Sequence, residues 1–202
     1  FKDAIFFGCA FPTGAGMVFN EIKVSKNDNI VLIGLGAVGL GILLALIKKK
    51  VRNIAVIDNN NTKLILAKKL GVKYLFNSLS SFKKKGINKI FKKGVDICFE
   101  SAGSTKTIEF GMEIINKKGV IHFASHPDEK KFISIKPYDL IEGKKISGSW
   151  GGNSKPDRDI NRFYSILKTN KLRLKELYTK IYNLSEINLN NLNKYFMIIN
   201  FY

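Results

Sequence analysis

Residues 30–58 read IVLIGLGAVGLGILLALIKKKVRNIAVID, and this stretch decides the fold. An apolar run enters Gly34-Leu35-Gly36-Ala37-Val38-Gly39, an apolar helix-like segment follows, and a second apolar run ends on a lone acid, Asp58. Val31–Ile33 suits a fully buried parallel strand, because a sheet covered on both faces loses polar alternation. Gly34 permits the tight turn out of that strand. Gly36 lets the backbone approach a pyrophosphate, and Gly39 lets the next helix sit close to the sheet. Ala37 and Val38 fall in the first turn of that helix, where unpaired N–H groups and the positive dipole end hold phosphates. Ile54–Ile57 suits a second strand. Asp58 at its carboxyl end is placed to accept both ribose hydroxyls, close to the ~20 residues past the glycines that the fingerprint requires. The order of parts describes a dinucleotide-binding βαβ unit.

A rival reading comes from the same residues. Ile30–Ile47 carries no charge and Lys48–Lys50 follows it, which imitates a membrane span with a basic flank. Three glycines place turn chemistry in its first half and the run is barely long enough to span, so no membrane partner is expected.

Composition narrows the class further. A chain of 202 residues suits one domain, or one domain plus part of another. It opens on Phe1-Lys2-Asp3, with neither a signal peptide nor an initiator methionine, and is expected to be a piece of a longer polypeptide. The formal charge of +18 invites a nucleic-acid partner. The basic residues, however, are spread in short groups: Lys48–Lys50, Lys83–Lys85, Lys92–Lys93, Lys130–Lys131 and Lys144–Lys145. Such groups suit helix ends and solvated loops, and arginine, the better phosphate reader, is scarce. They read as a solvated, lysine-biased surface, with no nucleic acid expected. Cys9 and Cys98 form neither a disulfide framework nor a CxxC pair, which implies a reducing, cytoplasmic compartment.

Beyond Asp58, strand and helix patterns keep alternating. Helices are expected over Thr62–Leu70, Leu79–Lys92 (interrupted at Gly86) and Thr105–Asn116, the last closed by Lys117-Lys118-Gly119. Strands are expected over Val72–Phe76, Val95–Phe99, Val120–Ala124 and Lys145–Trp150. Asp128–Lys136 reads as a polar excursion and Pro137–Glu142 as one helical turn. The fold class is α/β: a doubly wound, six-stranded parallel Rossmann sheet with a switch point between the first and fourth strands. Cys9–Ile22 reads as a helix before the sheet. Asp157–Thr169, Tyr178–Tyr182 and Leu184–Phe196 read as helix, strand and helix after it. The expected division is residues 1–22 as a leading helix at the edge of a catalytic domain, 23–155 as the dinucleotide-binding domain, and 156–202 as a segment returning to the catalytic domain, whose body is missing.

Five motifs then occur in order: Gly8-Cys9-Ala10-Phe11-Pro12-Thr13-Gly14-Ala15-Gly16, Gly34–Gly39, Asp58 with Lys63, Phe99-Glu100-Ser101-Ala102-Gly103 and Gly148-Ser149-Trp150-Gly151-Gly152. From about Gly8 to Asn183 the chain resembles the cofactor half of zinc-containing medium-chain alcohol dehydrogenases, nearest the liver-type and glutathione-dependent formaldehyde dehydrogenase branches. The resemblance implies NAD and zinc as cofactors and an alcohol or aldehyde as the small-molecule substrate. It makes Cys9 the third protein ligand of the catalytic zinc. Thr13 and Val38 would meet the nicotinamide, and Asp58 and Lys63 would grip the adenosine ribose. Ser101 and Ala102 would lie near the adenine side and the nicotinamide ribose. Phe123 and Ser125, and Ser149 with Trp150, would bring backbone to the carboxamide. A homodimer or homotetramer, pairing through the edge of the sixth strand, is also implied. The family's other two zinc ligands, its proton-relay hydroxyl and its four-cysteine zinc site belong to an N-terminal domain not found here, and the arginine expected near the C-terminus is absent.

One cysteine does not hold a catalytic zinc, so the chain is expected to bind cofactor without turnover, and no catalytic residue is assigned. Without its motif, Cys9 would read as a buried structural thiol, as Cys98 does. His122 reads as a core or sheet-face residue, His126 as a solvated loop residue, and Asp157 with Asp159 as acids at a helix start. Asp58 would repel a 2′-phosphate, which favours NAD over NADP. A zinc-free quinone or enoyl reductase relative, or a non-catalytic dinucleotide sensor, are the alternatives. The Cys9 motif argues against both.

Overall fold

The computed structural model describes residues 7–169, 180–183 and 197–200. Six parallel strands form the sheet: β1 (Asn29–Ile33), β2 (Asn53–Ile57), β3 (Tyr74–Phe76), β4 (Val95–Glu100), β5 (Ile115–Phe123) and β6 (Lys145–Gly148). Their order is β3-β2-β1-β4-β5-β6. The chain therefore leaves β1 toward one edge and restarts at β4 toward the other, giving the expected switch point between β1 and β4. All five residues of β1 are buried: Ile30–Ile33 as an unbroken apolar run requires, and Asn29 with its side-chain amide donating to Gly94 O at 2.8 Å.

Between the strands run α2 (Ala37–Lys48), α3 (Asn61–Lys69), α4 (Leu79–Lys85), α5 (Ile87–Ile90), α6 (Thr105–Ile114) and α7 (Pro137–Ile141). Before β1 lie α1 (Ala10–Gly16) and a π-helical turn, Met17–Glu21, in place of one continuous helix. After β6 come a 3₁₀ turn (Gly151–Asn153) and α8 (Pro156–Thr169).

The uncharged run that imitated a membrane span is a helix buried all round. Leu40, Ile42, Leu43, Leu44, Ala45 and Leu46 of α2 are all buried. Its outer side is covered by Phe11 and Ala15 of α1 and by Phe163, Ile166 and Leu167 of α8, which share one core with β1. The α1–α2 approach is close because both helices carry glycine at the crossing. A Cβ on Gly14 would lie 2.8 Å from Ile42 N, and one on Gly41 would lie 2.6 Å from Phe11 O. Truncating Leu43 to alanine in such a core costs about 2–5 kcal/mol. Among the described residues no helix is long and apolar enough to cross a membrane.

Several boundaries differ from the sequence reading. Helix α6 stops at Ile114, two residues early, and the strand begins at Ile115. Pairing runs Val95↔Ile115 and then Ile97↔Val120, so residues 116–119 bulge out of the ladder. Lys118 turns that bulge at φ 74, so the left-handed position falls one residue before the glycine expected to close the helix. Gly86, at φ 82, does split the helical stretch of residues 79–92. Strands β3 and β6 are shorter than expected. Beyond α8, β7 (Lys180–Asn183) pairs in parallel with β8 (Met197–Asn200). The helix expected over Leu184–Phe196 lies outside the described residues.

Candidate functional site

The loop between β1 and α2 is built around its glycines. Gly34 has φ +88, a conformation that favours glycine, and donates its N–H to Ile57 O at 2.8 Å. A Cβ there would lie 2.7 Å from Ala102 N. A Cβ on Gly39 would run into Gly34 O and lie 2.8 Å from Ser101 Oγ. The first turn of α2 thus sits directly on the loops that leave β1 and β4. At Gly36, which caps α2, the space is open, with no heavy atom within 4 Å of a would-be Cβ. The first N–H groups of a helix have no intrahelical acceptor, so Ala37 and Val38 begin α2 with backbone donors beside the open space at Gly36.

Asp58 closes one side of this crevice. Its Oδ2 accepts from Leu35 N at 2.6 Å and its Oδ1 accepts from Asn60 N at 2.8 Å. Lys63 Nζ lies 3.8 Å from Oδ2 and is itself 40% exposed, whereas the Asp58 side chain is 6% exposed. The carboxylate is therefore held by backbone, with the lysine at the rim. Each of its oxygens has a second lone pair for a hydroxyl donor.

Glu100 organises the other side. It is completely buried, and its Oε1 accepts from Ala102 N (2.8 Å), Gly103 N (3.1 Å) and Thr107 Oγ1 (2.8 Å). Its Oε2 accepts from the Ser125 hydroxyl. One carboxylate thereby fixes both the Ser101–Gly103 turn and the exit of β5, where Phe123 and Ser125 lie. Ser101 Oγ donates to Gly34 O at 2.9 Å and ties that turn to the glycine loop. In the sequence Glu100 stands only as one residue of the Phe99–Gly103 motif, with no role assigned. Its signal was a carboxylate ending an apolar strand, and the donors that give it a purpose come from residues 102, 103, 107 and 125.

Cys9 and Thr13 lie on α1's first turn. Cys9 is exposed, and its carbonyl accepts from Thr13 N at 3.0 Å and Thr13 Oγ1 at 2.9 Å. Both line a cavity of about 210 Å³, whose far wall includes Gly151, Ile160 and Phe163. Val38 joins this region to the crevice, because a Cβ on Gly14 would strike the Val38 carbonyl. Ser149 donates its N–H to Phe123 O at 2.7 Å, and its Oγ accepts from Gly152 N at 3.0 Å. Trp150 is 84% exposed, its ring edge-on to His126 at 5.3 Å. Gly34, Gly36, Ala37, Val38, Gly39, Asp58, Lys63, Ser101 and Ala102 thus gather around one crevice. Phe123 and Ser125 attach to it through Glu100, Cys9 and Thr13 line the separate cavity, and Trp150 stands exposed against His126.

The donor set for a metal is incomplete. Among the described residues no group of three or more His, Cys, Asp or Glu could hold an ion. Cys98 is fully buried, and burial followed by the Glu100 charge pushes its thiol well above the ordinary range. His122 is a sheet-face residue, as expected. Its Nε2 contacts Glu21 Oε2 at 2.8 Å and its Nδ1 contacts Ser147 Oγ at 2.8 Å. Asp159 is more than a helix-start acid. It is 1% exposed and binds Arg158, Arg162 and Asn20, and the hydrogen bond from Arg158 leads the effects that lower its carboxyl pKa to about 2.

Comparison with known proteins agrees with this geometry. The sequence model of the zinc-binding dehydrogenases matches residues 37–169. The S-(hydroxymethyl)glutathione dehydrogenase of Haemophilus influenzae is 29% identical over 193 residues, which are 93% of this chain and 50% of that protein. The benzyl alcohol dehydrogenase of Acinetobacter calcoaceticus superposes with a TM-score of 0.83 at 30% identity, covering 92% of this chain and 51% of its own. An alcohol dehydrogenase zinc-binding domain protein from Burkholderia ambifaria gives a TM-score of 0.80 at 26% identity, over 89% of this chain and 48% of its own. The chain spans about half the length of the curated relatives it matches. With its six-stranded sheet, glycine crevice and family match, the chain belongs to the zinc-binding dehydrogenases.

Proposed function

We propose that the chain is the NAD-binding portion of a zinc-dependent oxidoreductase that moves hydride between a primary or secondary alcohol, or a polyol, and the nicotinamide. One observation carries this reading. The buried Asp58 carboxylate is bonded to the loop of Gly34–Gly39, beside open space over Gly36 at the start of α2. The α2 N-terminus would hold the pyrophosphate, and the free lone pairs of Asp58 would accept the ribose hydroxyls. A 2′-phosphate would meet the Asp58 charge at close range, which supports NAD over NADP. Thr13, Val38 and the Phe123–Ser125 strand exit would bound the nicotinamide end, with Ser149 and Trp150 next to it.

Cys9 is one exposed donor where a catalytic zinc takes three protein ligands and keeps one open position. The other donors would come from outside the described residues, and this chain alone would bind dinucleotide without oxidising alcohol. In this reading residues 23–155 are the cofactor domain, and residues 1–22 and 156–202 lead from and to a catalytic domain. The edge of β6, unpaired among the described residues, with exposed Phe132, Ile141 and Trp150 in its neighbourhood of the sequence, supports self-association into a homodimer or homotetramer.

Titration of NADH and NADPH by nicotinamide fluorescence, into the parent chain and Asp58→Ala, tests the proposal. The parent is expected to prefer NADH, and the variant to lose NADH affinity by about tenfold while NADPH changes little. An unchanged preference would remove Asp58 from the ribose site and with it the NAD assignment.

A further inference from the structure

The net charge is not distributed evenly over the fold. In an all-parallel sheet every strand starts at the same end, and here the cofactor crevice lies at the opposite, carboxyl end. The helix ends and loops that lead into the strand starts are residues 22–28, 48–52, 68–73, 83–94 and 142–145, and the bulge of residues 116–119 lies just inside the start of β5. These hold Lys48–Lys50, Lys83–Lys85, Lys92–Lys93, Lys117–Lys118 and Lys144–Lys145, as well as lysines before β1 and β3. They contain the carboxylates Asp28 and Glu142, and beside them stand Asp96, which accepts from Asn29 N and Asn116 Nδ2, Glu113, which pairs with Lys83, and Asp139, which pairs with Lys144, so every one is occupied. Asp28 Oδ2 accepts from Ser25 N at 2.7 Å, and Glu142 pairs with Lys117 at 2.6 Å. The crevice end, by contrast, mixes signs: Asp128 and Glu129 stand exposed among its lysines, and the buried Asp58 faces Lys63 at its rim.

We propose that this strand-start face docks the phosphate backbone of a double-helical nucleic acid. Charge complementarity carries the inference. In sheet order the basic connections follow one another from β3 to β6, and six strands at ~4.8 Å spacing make a row roughly 24 Å long. Over that length a duplex presents about one phosphate charge per 1.7 Å of axis. Lys50, Arg52, Lys69, Lys73, Lys84 and Lys92 are exposed along the row and make no ion pair among the described residues. The face is lysine-rich, which suits sequence-independent phosphate contact better than base reading. The connections entering β1 to β5 expose no large hydrophobic side chain, so neither a stacking platform for single strands nor an apolar wedge for a bilayer is present there.

Fluorescence anisotropy of a labelled 20-base-pair duplex, titrated with the 202-residue chain at several salt concentrations, tests this. Two charge-matched variants decide where the duplex sits. One carries Arg52→Glu, Lys69→Glu, Lys73→Glu and Lys92→Glu on the strand-start face; the other carries Lys106→Glu, Lys130→Glu, Lys131→Glu and Lys136→Glu outside it. Parent binding is expected to weaken about a thousand-fold between 50 and 200 mM salt. The first variant is expected to lose at least tenfold more affinity than the second, and both are checked for native circular dichroism. Equal losses would show that net charge alone acts, and would overturn the proposal. So would absence of duplex binding, a preference for single strands, or tighter association with phosphatidylserine vesicles than with the duplex.

Discussion

Leu35 donates its backbone N–H to Asp58 Oδ2 at 2.6 Å, so the glycine loop and the acid that ends β2 form one hydrogen-bonded unit. The bond gives Asp58 a task even with no ligand present. Asp58→Asn keeps the shape but leaves one oxygen to serve both Leu35 N and Asn60 N. A loss of about 1–3 kcal/mol is expected. Urea unfolding of parent and variant checks it, and an unchanged midpoint would contradict the bond.

Gly36 and Gly39 differ by what surrounds them, and alanine separates their roles. At Gly36 the added methyl enters open space, so stability is expected to hold within about 0.5 kcal/mol. Dinucleotide affinity is expected to fall there, because the methyl would occupy the approach proposed for the pyrophosphate. At Gly39 the methyl meets the Gly34 carbonyl and Ser101 Oγ, and both stability and affinity fall. Thermal unfolding and NADH titration read the two effects separately. A stable, fully binding Gly39→Ala would refute the close seating of α2.

Glu100 is buried with four donors converging on it. Glu100→Gln replaces an acceptor oxygen by a donor NH₂, which faces a donor already in place. A destabilisation of about 2–4 kcal/mol is expected, with weaker NADH binding because the Ser101–Gly103 turn and Ser125 lose their common anchor. Denaturant unfolding checks the first and fluorescence titration the second. Full retention of both would show that the turn is held without the carboxylate.

The two cysteines are expected to react very differently. Cys9 is exposed at the start of α1, whereas Cys98 is enclosed beside Glu100 with its thiol pushed up. A small thiol reagent should modify Cys9 in the native chain and Cys98 only after unfolding. Mass spectrometry of the native and denatured reactions distinguishes them. Rapid native modification of Cys98 would contradict its burial.

Acid should loosen α8 through Asp159. The Arg158 hydrogen bond leads the effects that lower its carboxyl pKa to about 2 when folded, against ~3.9 when unfolded. A lowered folded value gives stability that is present above about pH 4 and is lost as pH falls through about 2. The Tm of the parent is expected to drop across that window, and Asp159→Asn to start lower at pH 5 and fall less steeply. Parallel profiles would remove Asp159 from the ion cluster.

The crevice was legible in the sequence because its parts are local. Gly34, Gly36 and Gly39 lie within six residues, and the buried runs on either side mark β1 and β2 directly. The elements that stayed hidden depend on distant partners. Nothing near His122 announces Glu21, 101 residues away in the chain. The purpose of Glu100 comes from donors in three later segments. Gly119 marks a turn after the helix, but the left-handed residue is Lys118, at φ 74, and the bulge that it makes within β5 has no local signal. The lysine groups are scattered along the chain and look like dispersed surface charge. A parallel sheet brings every strand start to one end and gathers all of these groups there except Lys130–Lys131.

The central claim is that a dinucleotide lies along Gly34–Gly39 against Asp58. Amide chemical-shift mapping of the ¹⁵N-labelled chain during NADH titration tests it most directly. The largest changes are expected at Leu35, Gly36, Ala37 and Val38, with smaller ones at Asn60 and Ala102 and almost none in residues 83–94. Shifts confined to the strand-start face, or no saturable shifts at all, would contradict the account.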